Sequence, residues 1–245
     1  IKLGTKYKIK KYIFFSTSAI FVKNYKKPIT EKSLPTPIEN YGKSKVLAER
    51  DIRKSKISNW TIFRIPMIVS SKRLGVLSIL FDFIINNKKI PVLETGNNLL
   101  QFIHVKDLTN FVIKSINIQE KEIYNLASDE IITLNYLFKK LISSINSKSK
   151  IIYFKDLGVS KLLSILNFIK LSPLNIYHLK MLKYSLVLNT KKIKKKYKLN
   201  YKNKTSDMMI EALKAYNKNK RPVKNSTEIT SPIKMKLIRL AYYFF

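Results

Sequence analysis

A chain of 245 residues is long enough for one large domain or two modest ones, and its hydrophobic content of 45% allows an ordinary buried core. It has no cysteine and only two histidines, His104 and His178, far apart in sequence; disulfides and thiolate metal sites are excluded, and no metal site is expected. The formal charge of +33 would suit a polyanion, but the lysines are scattered and accompanied by abundant Ile, Asn, Tyr and Phe; this reads as a solvated basic surface, and nucleic acid is not the expected partner.

Residues 11–16 (Lys-Tyr-Ile-Phe-Phe-Ser) form an aromatic, β-branched run of strand length. Residues 24–37 hold three prolines and read as a loop. From residue 38 to 54 the pattern turns helical, with Tyr41, Lys45, Ala48 and Ile52 on one stripe. A second buried strand over 60–66 is stopped by Pro66. A helix is expected over 74–87. Short strands are expected at 90–93 and 101–105, around a turn at Gly96-Asn97-Asn98. His104 reads as a buried strand residue. A helix over 106–117 carries Asp107 in its first turn, where a carboxylate suits the helix dipole.

Further on come a strand at 122–127, a helix at 134–145 capped near Thr133, and a strand at 151–154. Helices are expected at 160–169, 177–182, 191–197 and 206–216. Strands alternating with helices predict an α/β fold with a mainly parallel sheet. The stretch from Arg221 is polar and linker-like. It leads into a basic amphipathic helix over 233–245 that suits either a membrane surface or a protein partner. No apolar run approaches the roughly 18 residues that span a bilayer. The expected location is cytoplasmic, with peripheral membrane contact through 233–245 as the alternative.

The chemistry sits at Thr17 and at Tyr41-Gly42-Lys43-Ser44-Lys45. Tyr-x-x-x-Lys alone is weak, since Tyr7/Lys11 and Tyr216/Lys220 share the spacing. Only Tyr41/Lys45 lies on a predicted helix that follows a strand ending in hydroxyl residues. Residues i and i+4 share a helix face. An ammonium beside a phenol favours its ionised form, and such a phenol can take a proton from an alcohol or return it to a ketone. Thr17 could hydrogen-bond the same substrate oxygen. The carbon then needs a hydride acceptor that side chains cannot provide, so a nicotinamide cofactor is implied.

Five segments recur in order: Phe14-Phe15-Ser16-Thr17-Ser18-Ala19-Ile20-Phe21, Asn40-Tyr41-Gly42-Lys43-Ser44-Lys45, Phe63-Arg64-Ile65-Pro66, Gln101-Phe102-Ile103-His104-Val105-Lys106-Asp107-Leu108 and Tyr124-Asn125-Leu126-Ala127. Over about residues 5–218 the chain resembles the extended short-chain dehydrogenase/reductases, specifically the NAD-dependent epimerase/dehydratase family that acts on nucleotide sugars. The resemblance implies the C-terminal part of a Rossmann-like, doubly wound parallel sheet with a smaller, mostly helical substrate-binding region. Its expected division is 1–150 as a partial NAD(P)-binding domain interleaved with substrate-region segments, 151–220 as the helical region, and 221–245 as linker and basic helix.

The same resemblance implies Thr17, Tyr41 and Lys45 as catalytic residues. Tyr41, Lys45 and Pro66 would contact NAD, with NADP as the alternative, and Thr17, Ser18 and Gln101 would contact the nucleotide-sugar substrate. It also implies a homodimer.

Two departures from the family pattern shape the expected function. No spacing among Gly4, Gly42, Gly75, Gly96 and Gly158 gives Gly-x-x-Gly-x-x-Gly, so the pyrophosphate loop is not in this sequence. The expectation is an N-terminally truncated chain that binds cofactor poorly by itself. Where the dehydratase branch has an Asp-Glu pair, this chain has Ser18-Ala19. That points to an NAD-dependent nucleotide-sugar epimerase, with an NAD(P)H-dependent ketoreductase as runner-up. A non-catalytic basic remnant of the fold, binding a membrane or a partner, is the alternative of another class.

Overall fold

The computed structural model describes residues 1–71, 74, 77–156, 180–199 and 201–219. Along the chain it forms α1 (Lys2–Lys6), β1 (Tyr12–Thr17), α2 (Asn40–Lys54), β2 (Trp60–Ile65), β3 (Ile68–Val69), α3 (Leu77–Ile85), β4 (Ile90–Leu93), β5 (Leu99–Leu100), β6 (Ile103–His104) and α4 (Val105–Ile116). It continues with β7 (Lys121–Asn125), β8 (Ile132–Thr133), α5 (Leu134–Ser144), β9 (Ile151–Phe154), α6 (Lys191–Tyr197) and α7 (Thr205–Asn219). The expected α/β character is borne out. The helices expected at 160–169 and 233–245, the first half of that at 177–182, and the linker from Arg221 lie outside the described residues. Among the described residues no helix is long and apolar enough to cross a membrane.

The chain contributes to two compact units, each built from separate stretches. The first takes Ile1–Ile68, Gln101–Ile131 and Leu186–Thr205. At its centre β1, β2 and β7 run parallel in the order β1-β2-β7, with Tyr12 opposite Trp60 and Trp60 opposite Lys121. Side chains alternate across the sheet, as the period of two requires. Trp60 and Ile62, with Tyr12, Phe14 and Ile123, pack around Ile52 and Ile57 at the end of α2. Phe63 and Ile65, with Ile13 and Tyr124, pack against Leu108 and Phe111 of α4 and Ile193 of α6. Both faces of β2 are therefore covered, which is why its sequence is apolar throughout except at Thr61 and Arg64. Each fully buried side chain such as Phe63 or Ile62 contributes about 1.5–3 kcal/mol.

At the N-terminal end of this sheet Glu120 gathers a structural knot. Its carboxylate accepts hydrogen bonds from Thr61 Oγ1 at 2.7 Å, Tyr124 Oη at 2.9 Å and Tyr197 Oη at 2.5 Å, with Lys11 Nζ at 3.6 Å. Burial pushes the Glu120 pKa up, but those hydrogen bonds and Lys11 outweigh it and hold the carboxyl below its ordinary range. Burial, then Glu120 itself, pushes both phenols well above theirs. The charge stays on the carboxylate, and this end of the sheet is committed to stability.

The second unit takes Val69–Leu100, Ile132–Ser185 and residues from Ser206 on. It pairs β4 with β9 in parallel and β5 with β8 antiparallel. Gly96, at φ +64°, makes the expected turn, and a Cβ there would lie 2.6 Å from Asn135 Oδ1. Thr133 caps α5 as expected, its Oγ1 accepting from Tyr136 N at 3.1 Å. Tyr216 on α7 donates to Asp82 on α3 at 2.8 Å.

Two local differences from the sequence-based expectation have clear causes. The strand expected over 101–105 shortens to β6 because His104, buried as expected, also caps α4: its Nδ1 accepts from Lys106 N at 3.2 Å, so the helix begins at Val105. Asp107 lies in that first turn, but it is buried and its Oδ2 accepts from Asn203 N at 3.3 Å. It therefore ties α4 to the segment before α7 as well as facing the helix dipole.

Candidate active site

β1 ends at Thr17, opposite Ile65 at the end of β2. The chain leaves the strand in a short 3-10 turn, Ser18–Ile20. Thr17 Oγ1 caps that turn by accepting from Ala19 N at 3.1 Å. A hydroxyl has one proton to donate and two lone pairs, so the cap leaves Thr17 its donor. Ser18, next along, is buried.

The loop after the turn returns the chain over the strand end to α2. Gly42 makes the close approach: a Cβ there would lie 2.8 Å from Ala19 O and 3.0 Å from Pro37 Cβ. The first turn of α2 is thereby pressed against the turn that follows Thr17. Tyr41, beside Gly42, is 57% exposed, with its phenol open to solvent. One turn on, Lys45 Nζ donates to Phe15 O at 2.8 Å and lies 4.7 Å from the Phe14 ring centroid and 5.8 Å from that of Tyr41. Burial pulls the Lys45 pKa below the ordinary lysine value. Lys45 and Tyr41 are thus held toward the end of β1 at which Thr17 lies.

Gly42→Ala tests this approach. Because the obstacle is a backbone oxygen, helix and turn must separate, and we expect a loss of about 1–3 kcal/mol in urea unfolding.

Pro66 is buried and follows directly on β2, the strand beside Thr17. Gln101 is also buried, and both ends of its amide go to the main chain: Nε2 donates to Ser128 O at 2.7 Å and Oε1 accepts from Leu188 N at 2.9 Å.

A second layer escaped the sequence reading. Glu49, one turn beyond Lys45, accepts from Ser16 Oγ at 2.5 Å and from Arg64 Nη2 at 2.7 Å and Nε at 3.1 Å. Arg64 Nη1 donates to Glu31 O at 3.0 Å, and the guanidinium lies 5.2 Å from the Phe21 ring centroid. Glu31 Oε1 accepts from Asn125 N at 2.9 Å. The signal was present: an arginine inside an otherwise apolar strand requires a buried acid, and Glu49 continues the Tyr41–Lys45 stripe by four residues.

The model of the NAD dependent epimerase/dehydratase family matches residues 1–127. Protein y4nG of Sinorhizobium fredii, itself uncharacterized, is 29% identical over 242 residues, covering 96% of this chain and 61% of y4nG. The present chain therefore spans less than two thirds of that relative. Among solved structures, the UDP-glucose 4-epimerase of Thermotoga maritima with UDP-glucose superposes with a TM-score of 0.70 at 19% identity, over 90% of this chain and 67% of that one. The Bordetella bronchiseptica enzyme WbmG, in complex with NAD and UDP, gives 0.69 at 15% identity, over 94% and 66%. The dTDP-glucose 4,6-dehydratase of Bacillus anthracis with NAD gives 0.65 at 17%, over 89% and 65%. At these identities the structures establish the shared fold.

Proposed function

The chain belongs to the NAD dependent epimerase/dehydratase family, and from that premise we propose that Thr17, Tyr41 and Lys45 are the acid–base centre of an NAD-dependent nucleotide-sugar epimerase. The observation that carries the reading is the exposed Tyr41 phenol beside Lys45, at the turn that follows Thr17. Tyr41 takes the proton of a sugar hydroxyl and later returns it. Thr17 donates a hydrogen bond to the same oxygen and keeps it in line. NAD, when bound, supplies the hydride acceptor and donor that no side chain provides.

The residues fit the nicotinamide end of that cofactor. Lys45 uses one of its three protons on Phe15 O, which leaves two for ribose hydroxyls. Its partial burial strengthens those contacts. Tyr41 reaches the same place from the preceding turn, and the family resemblance adds the main chain around Pro66, which follows β2, to the cofactor side of this reading. Ser18 and Gln101 belong to the substrate side of the reading, Gln101 through the main chain it fixes.

Ser18 and Ala19 carry no carboxylate for eliminating water, which supports epimerisation over dehydration. A homodimer, implied by the family resemblance, is part of the same reading, with NADP as the alternative cofactor.

The test uses a full-length version that also carries the family's Gly-rich pyrophosphate loop, incubated with NAD and a panel of UDP- and dTDP-hexoses and followed by proton NMR of the anomeric signals; this chain alone is expected to be inactive. An epimeric hexose with no net NADH is the expected outcome. Stoichiometric consumption of NADPH would move the assignment to ketoreductase. Absence of turnover in protein with bound NAD would sink both and leave the non-catalytic reading.

A further inference from the structure

Tyr41, Lys45 and Glu49 stand at one-turn intervals on one face of α2. The first two belong to the proposed chemistry; the third does not, yet it is 1% exposed and ionically paired. We propose that Glu49 is a positioning residue: with Ser16 and Arg64 it fixes the register of α2 against β1, and so the place of Lys45 and Tyr41 beside Thr17. The proposal rests on the site assignment above for its bearing on catalysis, while its geometry stands apart from it.

Two adjacent residues of β1 hold two successive turns of α2. Phe15 O takes the Lys45 ammonium, and Ser16 Oγ donates to Glu49. The next residue of that strand is Thr17. Arg64 completes the clamp from β2 with Nη2 and Nε on the Glu49 carboxylate, and its Nη1 extends it through Glu31 to Asn125 at the end of β7. Glu49 thereby links α2 to every strand of the central sheet.

An apolar contact would bury the same surface, but it would let the helix slide by fractions of an ångström along the sheet. A two-pronged guanidinium–carboxylate pair with a third donor on the acid has direction, and it defines one register. A buried ion pair is a poor source of net stability compared with packed apolar side chains. Its presence one turn from Lys45 is explained by the geometry it imposes.

The test is carbon NMR on lysine-labelled protein. Lys45 lies against the Phe14 and Tyr41 rings, so its side-chain carbons carry a ring-current displacement, assigned by its loss in Lys45→Arg. In Glu49→Gln, with the far-UV circular dichroism of the native chain, that displacement is expected to collapse toward the position of exposed lysines. Ser16→Ala removes a single bond of the clamp, and is expected to reduce the displacement with the fold intact even where Glu49→Gln does not fold.

An unchanged Lys45 signal in a folded Glu49→Gln, or in Ser16→Ala, would overturn the proposal and leave Glu49 as a stabilising residue only. The readout needs no turnover. Should Tyr41→Phe retain activity while the Lys45 signal still collapses in Glu49→Gln, the enzymatic reading fails and the positioning stands. Where turnover is measurable, Glu49→Gln lowers kcat and leaves substrate KM in place.

Discussion

In a full-length version that carries the Gly-rich cofactor loop, Tyr41→Phe is expected to lower turnover by about 10²–10⁴-fold, the contribution of a positioned general acid–base group, with the melting curve unchanged. The two halves of that expectation have separate grounds. Tyr41 is 57% exposed, and substitutions at such positions cost within about 0.5 kcal/mol. The chemical half follows from the phenol being the proton carrier beside Lys45. A control lies in the second unit. Tyr136 and Lys140 on α5 have the same spacing, and Lys140 Nζ lies 5.5 Å from the Tyr136 ring centroid, close to the 5.8 Å of the Tyr41 pair. Tyr136→Phe is expected to leave turnover unchanged. Retained activity in Tyr41→Phe, or equal losses in both variants, would remove Tyr41 from the mechanism. The comparison also shows that an ammonium near a phenol is cheap to make on a helix; the hydroxyl at the end of β1 distinguishes the first pair.

Much of the fold could be read from local pattern. The sheet strands at residues 12–17, 60–65 and 121–125 lie within a residue or two of the expected runs, because each is a short segment built around aromatic and β-branched residues and closed by a turn or a proline. The helices at 40–54, 134–144 and 191–197 follow the 3.6-residue period. The two-residue strands β3, β5 and β8 left no readable signal, being too short for a period to show.

The loop over 24–37 was recognisable as a loop, but not its anchoring. Ile29 N donates to Val187 O and Asn189 N donates to Ile29 O, both at 2.7 Å, across more than half of the chain. No local pattern announces such a partner.

The site divides the same way. Thr17, Tyr41 and Lys45 are linked by strand end and helix period, so order and spacing reveal them. The Glu49–Arg64–Glu31 connection depends on which strand α2 lies over, a fact of tertiary packing. Gln101 is legible as part of a motif, but its amide bonds to the main chain at Ser128 and Leu188, 27 and 87 residues away, are not.

Arg64→Met is expected to cost about 3–5 kcal/mol in urea unfolding, because Glu49 would then be a buried carboxylate with its cation gone. The Ser16 hydroxyl would still serve one of its oxygens, but a neutral donor offsets only about 1 kcal/mol. The Glu31 carbonyl would also lose the Arg64 Nη1 donor. Removing both charges reverses the argument. In Glu49→Met/Arg64→Met neither side chain carries charge into the interior, and both fill space between α2 and the sheet with apolar volume. The double variant is therefore expected to recover most of the loss, with a coupling energy that exceeds either residue's separate contribution. If the double variant remained as unstable as either single, the pair would be stabilising in its own right relative to apolar side chains, and register would no longer be needed to explain it. If it is stable while the Lys45 carbon signal is displaced from its native position, stability and placement separate: the ion pair is then retained at a cost to the core, because it holds α2 where Tyr41 and Lys45 meet Thr17.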